Sequence, residues 1–302
     1  MNRELVETIT KVVMEKLGSV ESEKQDDLVK LWGKPSKPAV VKKETIVEKP
    51  QKVIKVESKK WGIENPHDEE RLQEFLRKTP ARIGVGRAGL RPKTNTLLKF
   101  RFDHAAAVDA VHGSVDEDLL KSLDLFKVNT KVTDKEVYIR RPDYGRRLSD
   151  EARKTIEEKC VKGATVQIIV SDGLSSKAVD ENLEDVYLSL QQSLKSLGLD
   201  VGTPFFIEKG RVALMDEIGE LLKPKVMVYL IGERPGLVSA ESLSAYLCFE
   251  PKMGTIEADR MVVSNIHKGG IPPVEAGAYL GTVILKILKY EASGVSLVQK
   301  EK

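Results

Sequence analysis

The sequence predicts an α/β protein, and three features carry that prediction. Val166–Val170 and Val226–Ile231 are apolar runs, interrupted in the first only by Gln167 and bounded by turn residues. Strands buried on both faces read this way. Segments of helical period separate these runs from one another and from a further strand candidate at Met261–Ser264. The chain has 302 residues, 41% apolar and 31% charged, a globular profile long enough to bury a core without disulfides or a structural metal. At ~150 residues per domain, that length gives about two domains. The expected architecture is an open, mostly parallel (Rossmann-like) sheet on the C-terminal side. A mainly helical region and a flexible N-terminal extension precede it. The expected divisions are 1–18, 19–65, 66–148 and 149–302.

In chain order, Leu5, Val6, Ile9, Val12, Val13 and Leu17 form one stripe of an amphipathic helix, and Gly18 stops it. Residues 19–62 lose periodicity and mix charge with Pro35, Pro38 and Pro50, the composition of a linker. Order returns near Asn65-Pro66, with a short helix over Asp68–Arg77 ended before Pro80 and another over Leu97–Val111. Val132–Tyr144 holds a β-rich piece, EVYIRRPDY. Ser149 is a candidate N-cap for the helix that follows it, with Asp150 and Glu151 in the first turn. Then come a buried strand at Val166–Val170, a helix over Ala178–Leu197 stopped by Gly198, and a short strand at Pro204–Ile207. Leu214–Leu222 reads as a helix, Val226–Ile231 as a buried strand, and Ser239–Phe249 as helical. Met261–Ser264 is the third strand candidate, and Val274–Glu291 is a last helix entered through Pro272-Pro273.

Composition removes several function classes. Lys plus Arg is 49 against 46 Asp plus Glu, a net charge of +3 without a concentrated basic face, so no nucleic-acid partner is expected. The apolar runs fall far short of the ~18 residues a membrane span needs. The N-terminus alternates charge with apolar residues, unlike a secretory leader. Cys160 and Cys248 stand in unrelated contexts and, with four scattered histidines, make no zinc spacing. A reduced, cytoplasmic, metal-free protein is the expectation.

Gly84-Val85-Gly86-Arg87-Ala88-Gly89 fits the dinucleotide fingerprint by spacing. That motif needs a strand before it and a helix directly after it. Pro80 leaves little room for the strand, and Arg91-Pro92 blocks the helix. A basic Gly-rich loop presenting Arg82, Arg87 and Arg91 to an anion or a partner is the better reading, and a solvated turn is its plain alternative.

Three other loops share a logic. Val166–Val170 opens into Ser171–Ser176, Val226–Ile231 into Gly232–Gly236, and Met261–Val263 into Ser264–Gly270. In an open parallel sheet the carboxyl ends of strands form the ligand crevice, and Ser, Asn and Glu suit an amide-rich or hydroxylated ligand. Asn265–Gly270 also resembles D-x-H-x-x-G, in which a histidine sits below cobalt. Asn265 replaces the aspartate and lacks its charge, which favours a loop histidine bonded to backbone over a lower-axial His267. Cys248 reads as a buried hydrophobe late in an apolar helix. No Gly-x-Ser-x-Gly elbow, Walker loop or paired-carboxylate signature appears, so the chain reads as a binder more than a self-sufficient catalyst.

Four blocks carry a family resemblance: residues 81–111 (ARIGVGRAGLRPKTNTLLKFRFDHAAAVDAV), 170–176 (VSDGLSS), 230–246 (LIGERPGLVSAESLSAY) and 257–276 (EADRMVVSNIHKGGIPPVEA). From about residue 66 onward the chain resembles the small subunits of ethanolamine ammonia-lyase. The resemblance implies a carbon–nitrogen lyase that converts ethanolamine to acetaldehyde and ammonia by a radical route using adenosylcobalamin (coenzyme B12). It implies a cofactor held between this subunit and a large, substrate-binding barrel subunit, with no catalytic residue and no metal ligand on this chain. The family's cobalamin contacts fall here on Val212, Glu233 and Val262. The third position is cysteine in family members, and a backbone contact survives the change to valine whereas a sulfur contact does not. The family's cofactor keeps its own benzimidazole below cobalt, which argues further against His267. Residues 1–18 resemble the amphipathic tags that carry enzymes into bacterial microcompartments. That implies shell proteins as partners and a place in the bacterial cytoplasm inside such a compartment; the alternative is a helix that packs on its own subunit. Two other functions compete with the lyase: a nicotinamide-dependent oxidoreductase built on Gly84–Gly89, and a non-catalytic microcompartment interaction protein.

Overall fold

The computed structural model describes residues 62–79, 81–237 and 239–302. The tag-like helix at 1–18 and the linker up to residue 61 lie outside the described residues. The described residues divide after Thr96 into a small unit and a large one, described separately.

In the small unit, α1 spans Glu69–Lys78 as expected, and the Asp68 carboxylate accepts the Arg71 N–H at 2.9 Å. Glu69 and Glu70 in its first turn and Arg77 and Lys78 in its last complement the helix dipole. The Gly84–Gly89 loop enters a minimal hairpin, β1 (Arg87–Ala88) against β2 (Arg91–Pro92), with Gly89 at φ 61° in the turn. The glycines here serve backbone packing. A Cβ on Gly62 would lie 2.2 Å from the Gly86 nitrogen, and the Gly62 N–H donates to the Gly84 carbonyl at 2.8 Å. The strand-turn-helix context of a dinucleotide site is absent at this motif, which removes the basis of the oxidoreductase reading.

Helix α2 (Thr94–His112) runs into the large unit, followed by α3 (Glu117–Ser122), β3 (Phe126–Asn129), α4 (Lys135–Arg140) and α5 (Asp150–Lys159). Then come β4 (Val166–Ser171), α6 (Ser176–Ser196), β5 (Phe205–Glu208), α7 (Leu214–Leu222) and β6 (Val226–Gly232). The unit closes with β7 (Leu243–Phe249), β8 (Arg260–Ile266), α8 (Pro273–Tyr290) and α9 (Gly294–Lys300). Six strands form one sheet in the order β3-β5-β4-β6-β7-β8. The first four are parallel, while β7 runs antiparallel to both neighbours. The sheet is therefore mixed and mostly parallel.

Alternation along buried strands feeds two cores. Val166, Ile168, Val170, Val226, Val228 and Leu230 face one side, against residues of α6, α8 and α9. Ile169, Met227, Tyr229 and Ile231 face the other, against α5 and α7. Both faces are apolar, so the strands read as continuous hydrophobic runs. Ser149 caps α5 as predicted, its hydroxyl accepting the Ala152 N–H at 3.0 Å.

Two local readings are corrected. Ser239–Phe249 is not helical: its second half is β7, paired with β6 residue for residue from Val226↔Phe249 to Gly232↔Leu243. Its alternation of Leu243, Ala245 and Leu247 with Ser244, Tyr246 and Cys248 carries little contrast in polarity, so the period of two is faint in the sequence. The β-rich piece around Val137-Tyr138-Ile139 is helix α4, because the Asp134 carboxylate captures the Val137 N–H at 2.9 Å and starts a helical turn. The sheet also takes its outer strand, β3, from ahead of residue 149, a segment too short to announce itself.

Candidate functional site at the carboxyl edge of the sheet

The carboxyl ends of β4, β5 and β6 are tied together before any ligand is considered. Gly173 stands at φ 51°, and a Cβ there would lie 2.3 Å from the Gly232 carbonyl, so glycine lets the ends of β4 and β6 touch. The buried Asp172 carboxylate pairs with Lys135 Nζ at 2.9 Å and accepts the Lys209 N–H at 2.6 Å. The Ser171 hydroxyl accepts the Gly210 N–H at 3.0 Å. From the other side, the fully buried Tyr138 donates its hydroxyl to the Gly210 carbonyl at 2.7 Å. The Arg211 guanidinium lies 4.1 Å from the Tyr138 ring centroid and donates to the Tyr138 carbonyl at 3.2 Å. Burial pushes the Tyr138 phenol well above its ordinary pKa, with the Arg211 charge opposing, so it stays a donor. The loop Lys209–Val212 is thus clamped between the end of β4 and α4. A Cβ on Gly210 would collide with the Tyr229 hydroxyl at 2.2 Å, so the clamp has no room for a side chain.

Val212 follows this loop and packs against the core shared by α5 and α7. Glu233 follows β6; its N–H donates to the Ser242 carbonyl at 3.0 Å, and its carboxylate accepts the Tyr246 hydroxyl at 2.9 Å. Burial, then the Glu233 charge, holds the Tyr246 phenol well above its ordinary pKa, so Tyr246 donates and Glu233 keeps its remaining lone pairs. Tyr246 stands directly opposite Val262 in the β7–β8 ladder and packs on the same core as Val212. Cross-strand partners share a face, so Val212, the Glu233–Tyr246 pair and Val262 gather on one side of the sheet. Val262 is 48% exposed there. Nearby, the Ser244 hydroxyl and the Arg211 Nε are buried without a hydrogen-bond partner. Sequence reasoning missed Tyr246, because it read β7 as a helix. The signal that could have found it is the alternation of Leu243, Ala245 and Leu247 with Ser244, Tyr246 and Cys248.

His267 has both ring nitrogens engaged. The Gly269 N–H donates to Nδ1 at 3.1 Å, and Nε2 lies 2.8 Å from Asn265 Oδ1. That pattern assigns the proton to Nε2 and leaves no lone pair for cobalt. Among the described residues, no cluster of His, Cys, Asp and Glu could hold a metal ion, and no helix is long and apolar enough to cross a membrane. A cavity of about 1040 Å³ lined by Lys225, Glu250 and Ser293 lies at the opposite, amino edge of β6. The carboxyl edge carries a smaller one of about 200 Å³, lined by His112, Lys135, Asp172 and Lys209.

Two comparisons bear on what this arrangement is. The family model described as "Ethanolamine ammonia-lyase light chain" matches residues 69–298. A protein of Fusobacterium nucleatum subsp. nucleatum named ethanolamine ammonia-lyase small subunit is 51% identical over 235 residues, 78% of this chain and 80% of the relative. A protein of the same name from Clostridium perfringens is 50% identical over 235 residues, again 78% of this chain and 80% of the relative. The matched span runs from the start of α1 into α9 and so takes in the whole sheet, its clamped carboxyl edge and the blocks that carried the resemblance. On this ground the chain belongs to the ethanolamine ammonia-lyase light chain family.

Proposed function

We propose that this chain is the small subunit of a two-subunit ethanolamine ammonia-lyase and that it holds adenosylcobalamin at the carboxyl edge of its sheet, facing a large, substrate-binding subunit. The observation that supports the reading is the gathering of Val212, Glu233 and Val262 on one face, from the loop after β5, the loop after β6 and strand β8. Their chemistry suits the cofactor. A corrin ring edged with amides needs acceptors and apolar surface, and Glu233 and the half-exposed Val262 offer these in turn. When bound, the cofactor would supply the radical that removes hydrogen from the substrate. The chain's own part is to bind and orient: Glu233 accepts from an amide, Tyr246 holds the Glu233 carboxylate in place, and the Lys209–Val212 clamp presents Val212 without give. The side chain of Val262 can offer contact area or backbone but no sulfur.

The region 66–148 is the expected docking region for the large subunit, and 149–302 the cofactor domain, with the sheet borrowing β3 from the former. The segment 1–18 is proposed as a microcompartment tag on the linker that follows it.

The test is titration of adenosylcobalamin into the two-subunit complex, followed by its visible spectrum. Glu233→Gln keeps the shape but replaces a charged acceptor with a weaker one. Losing a charge-assisted bond of ~1–3 kcal/mol should weaken cofactor binding about 5–150-fold. An unchanged dissociation constant removes Glu233 from the site, and a wild-type complex that retains no corrinoid overturns the reading.

A further inference from the structure

The connections that leave β4 and β5 part company. From β4 the chain crosses to α6, which packs in the core on one face of the sheet; from β5 it crosses to α7, which packs in the core on the other. β4 and β5 are parallel neighbours, so their carboxyl ends form a topological switch point, where open α/β sheets keep their ligand crevice. The cavity of about 200 Å³ lies there. Its wall takes Asp172 from the end of β4, Glu208 and Lys209 from the end of β5, Lys127 from β3, Lys135 from α4 and His112 from α2. That volume is many times the ~10–15 Å³ that admits one water.

The wall carries a surplus of positive charge. The buried Asp172 carboxylate balances Lys135, 2.9 Å away. Glu208 alone faces two ammoniums: Lys127 lies 2.8 Å from one oxygen, and Lys209 takes the other. Burial raises the Glu208 pKa, but the two lysines outweigh it and hold the group below its ordinary value, so it is ionised at neutral pH. The exposed Asp134 also feels the Lys209 charge, but it caps α4 and stands outside the wall. Three lysines against two carboxylates leave one positive charge, before any on His112. Each ammonium has three donors and gives one to a carboxylate. The side chains of Lys135 and Lys209 are only 14% and 15% exposed, so an occupant of the cavity is the natural acceptor for the donors left over. Lysines act as point charges whose donors can turn, which suits the several oxygens of a phosphate; the planar fork of arginine suits a carboxylate better.

We infer that the cavity at the β4–β5 switch point binds a phosphate group, held by Lys127, Lys135 and Lys209. Free phosphate and the phosphodiester of the proposed cofactor share that chemistry. The first source needs only the residues of this chain; the second rests on the cofactor reading.

The experiment titrates inorganic phosphate by calorimetry into the full chain and into the two-subunit complex, with chloride holding the ionic strength constant. Wild type should bind phosphate saturably at one site. Lys127→Gln, a change at a half-exposed side chain of β3, removes the surplus charge and should weaken that binding at least about tenfold. Lys209→Gln should do the same, while Lys127→Arg keeps the charge and most of the affinity; thermal midpoints report that each variant is folded. No saturable phosphate binding in wild type, or wild-type affinity in both glutamine variants, overturns the inference. Adenosylcobalamin added to the phosphate-loaded complex separates the two sources. Displacement of phosphate, with a parallel loss of cofactor affinity in Lys127→Gln, gives the cavity to the cofactor's phosphodiester. Simultaneous binding gives it to free phosphate, and either result supports the phosphate site. A complex that retains no corrinoid, built from a chain that still binds phosphate, overturns the cofactor reading and leaves this inference standing.

Discussion

Tyr138 shows how one buried hydroxyl can fix a loop at the carboxyl edge of a sheet. It has no exposure to solvent, and its hydroxyl donates to the Gly210 carbonyl at 2.7 Å. Tyr138→Phe keeps the ring under Arg211 and removes that bond alone. The Gly210 carbonyl, still enclosed, then lacks its donor, which should cost about 1–3 kcal/mol of stability. The same variant should loosen Val212 and weaken corrinoid binding in the complex. A urea midpoint indistinguishable from wild type would mean that the carbonyl finds another donor and that the clamp does not depend on Tyr138. At this scale the sequence was partly legible. Glu233 stood out as a carboxylate in a loop fixed by Gly232, Pro235 and Gly236, and the family resemblance singled out Val212 and Val262. Tyr138, Asp172 and Lys135 did not stand out, because what joins them is contact across 37 residues and more, which no local pattern encodes.

At the scale of elements, the readings that succeeded had a local cause. Ser149 was legible as a cap because a hydroxyl followed by two acids is a chemical statement about the next turn. Ser149→Ala should cost about 1 kcal/mol, lowering the urea midpoint without changing the slope, since Ala152 and Ile156 still bury α5. A loss well below that would show that the turn is held by Arg153 and Glu217, which pair across α5 and α7, and by the Leu148 N–H donating to Glu217 at 3.1 Å. The readings that failed had a remote cause. β7 takes its form from seven paired residues of β6, and its Ala and Leu content suits a helix as well as a strand. In α4 the misleading signal was local, three residues of strand preference, and the Asp134 cap overruled it.

For the whole molecule, the open question is whether the antiparallel edge, β7 with β8, opens apart from the parallel strands. The two cysteines report on it. Cys160 follows α5 and Cys248 lies within β7, both buried in the same core. Burial pushes each thiol up to about 11. At pH 8 only on the order of one thiol in a thousand is then ionised, and the thiolate is the reactive form. The raised values also set a sign. The folded chain holds these protons more tightly than the unfolded one, so stability falls as pH rises from the ordinary value near 9 toward 11. Leu243, Ala245 and Leu247 of β7 and Val263 and Ile266 of β8 lie in one core with Val166 and Val170 of β4, and Leu297 of α9 closes it. A shared core argues for one cooperative unit. In a chain labelled with a thiol reagent at pH 8, both cysteines should therefore react at the same slow rate, and that rate should match global unfolding extrapolated from denaturant. If Cys248 is modified well before Cys160, the edge strands open on their own. The face that carries Tyr246 and Val262 would then be a movable wall of the proposed cofactor site, and cofactor bound there should slow Cys248 labelling selectively.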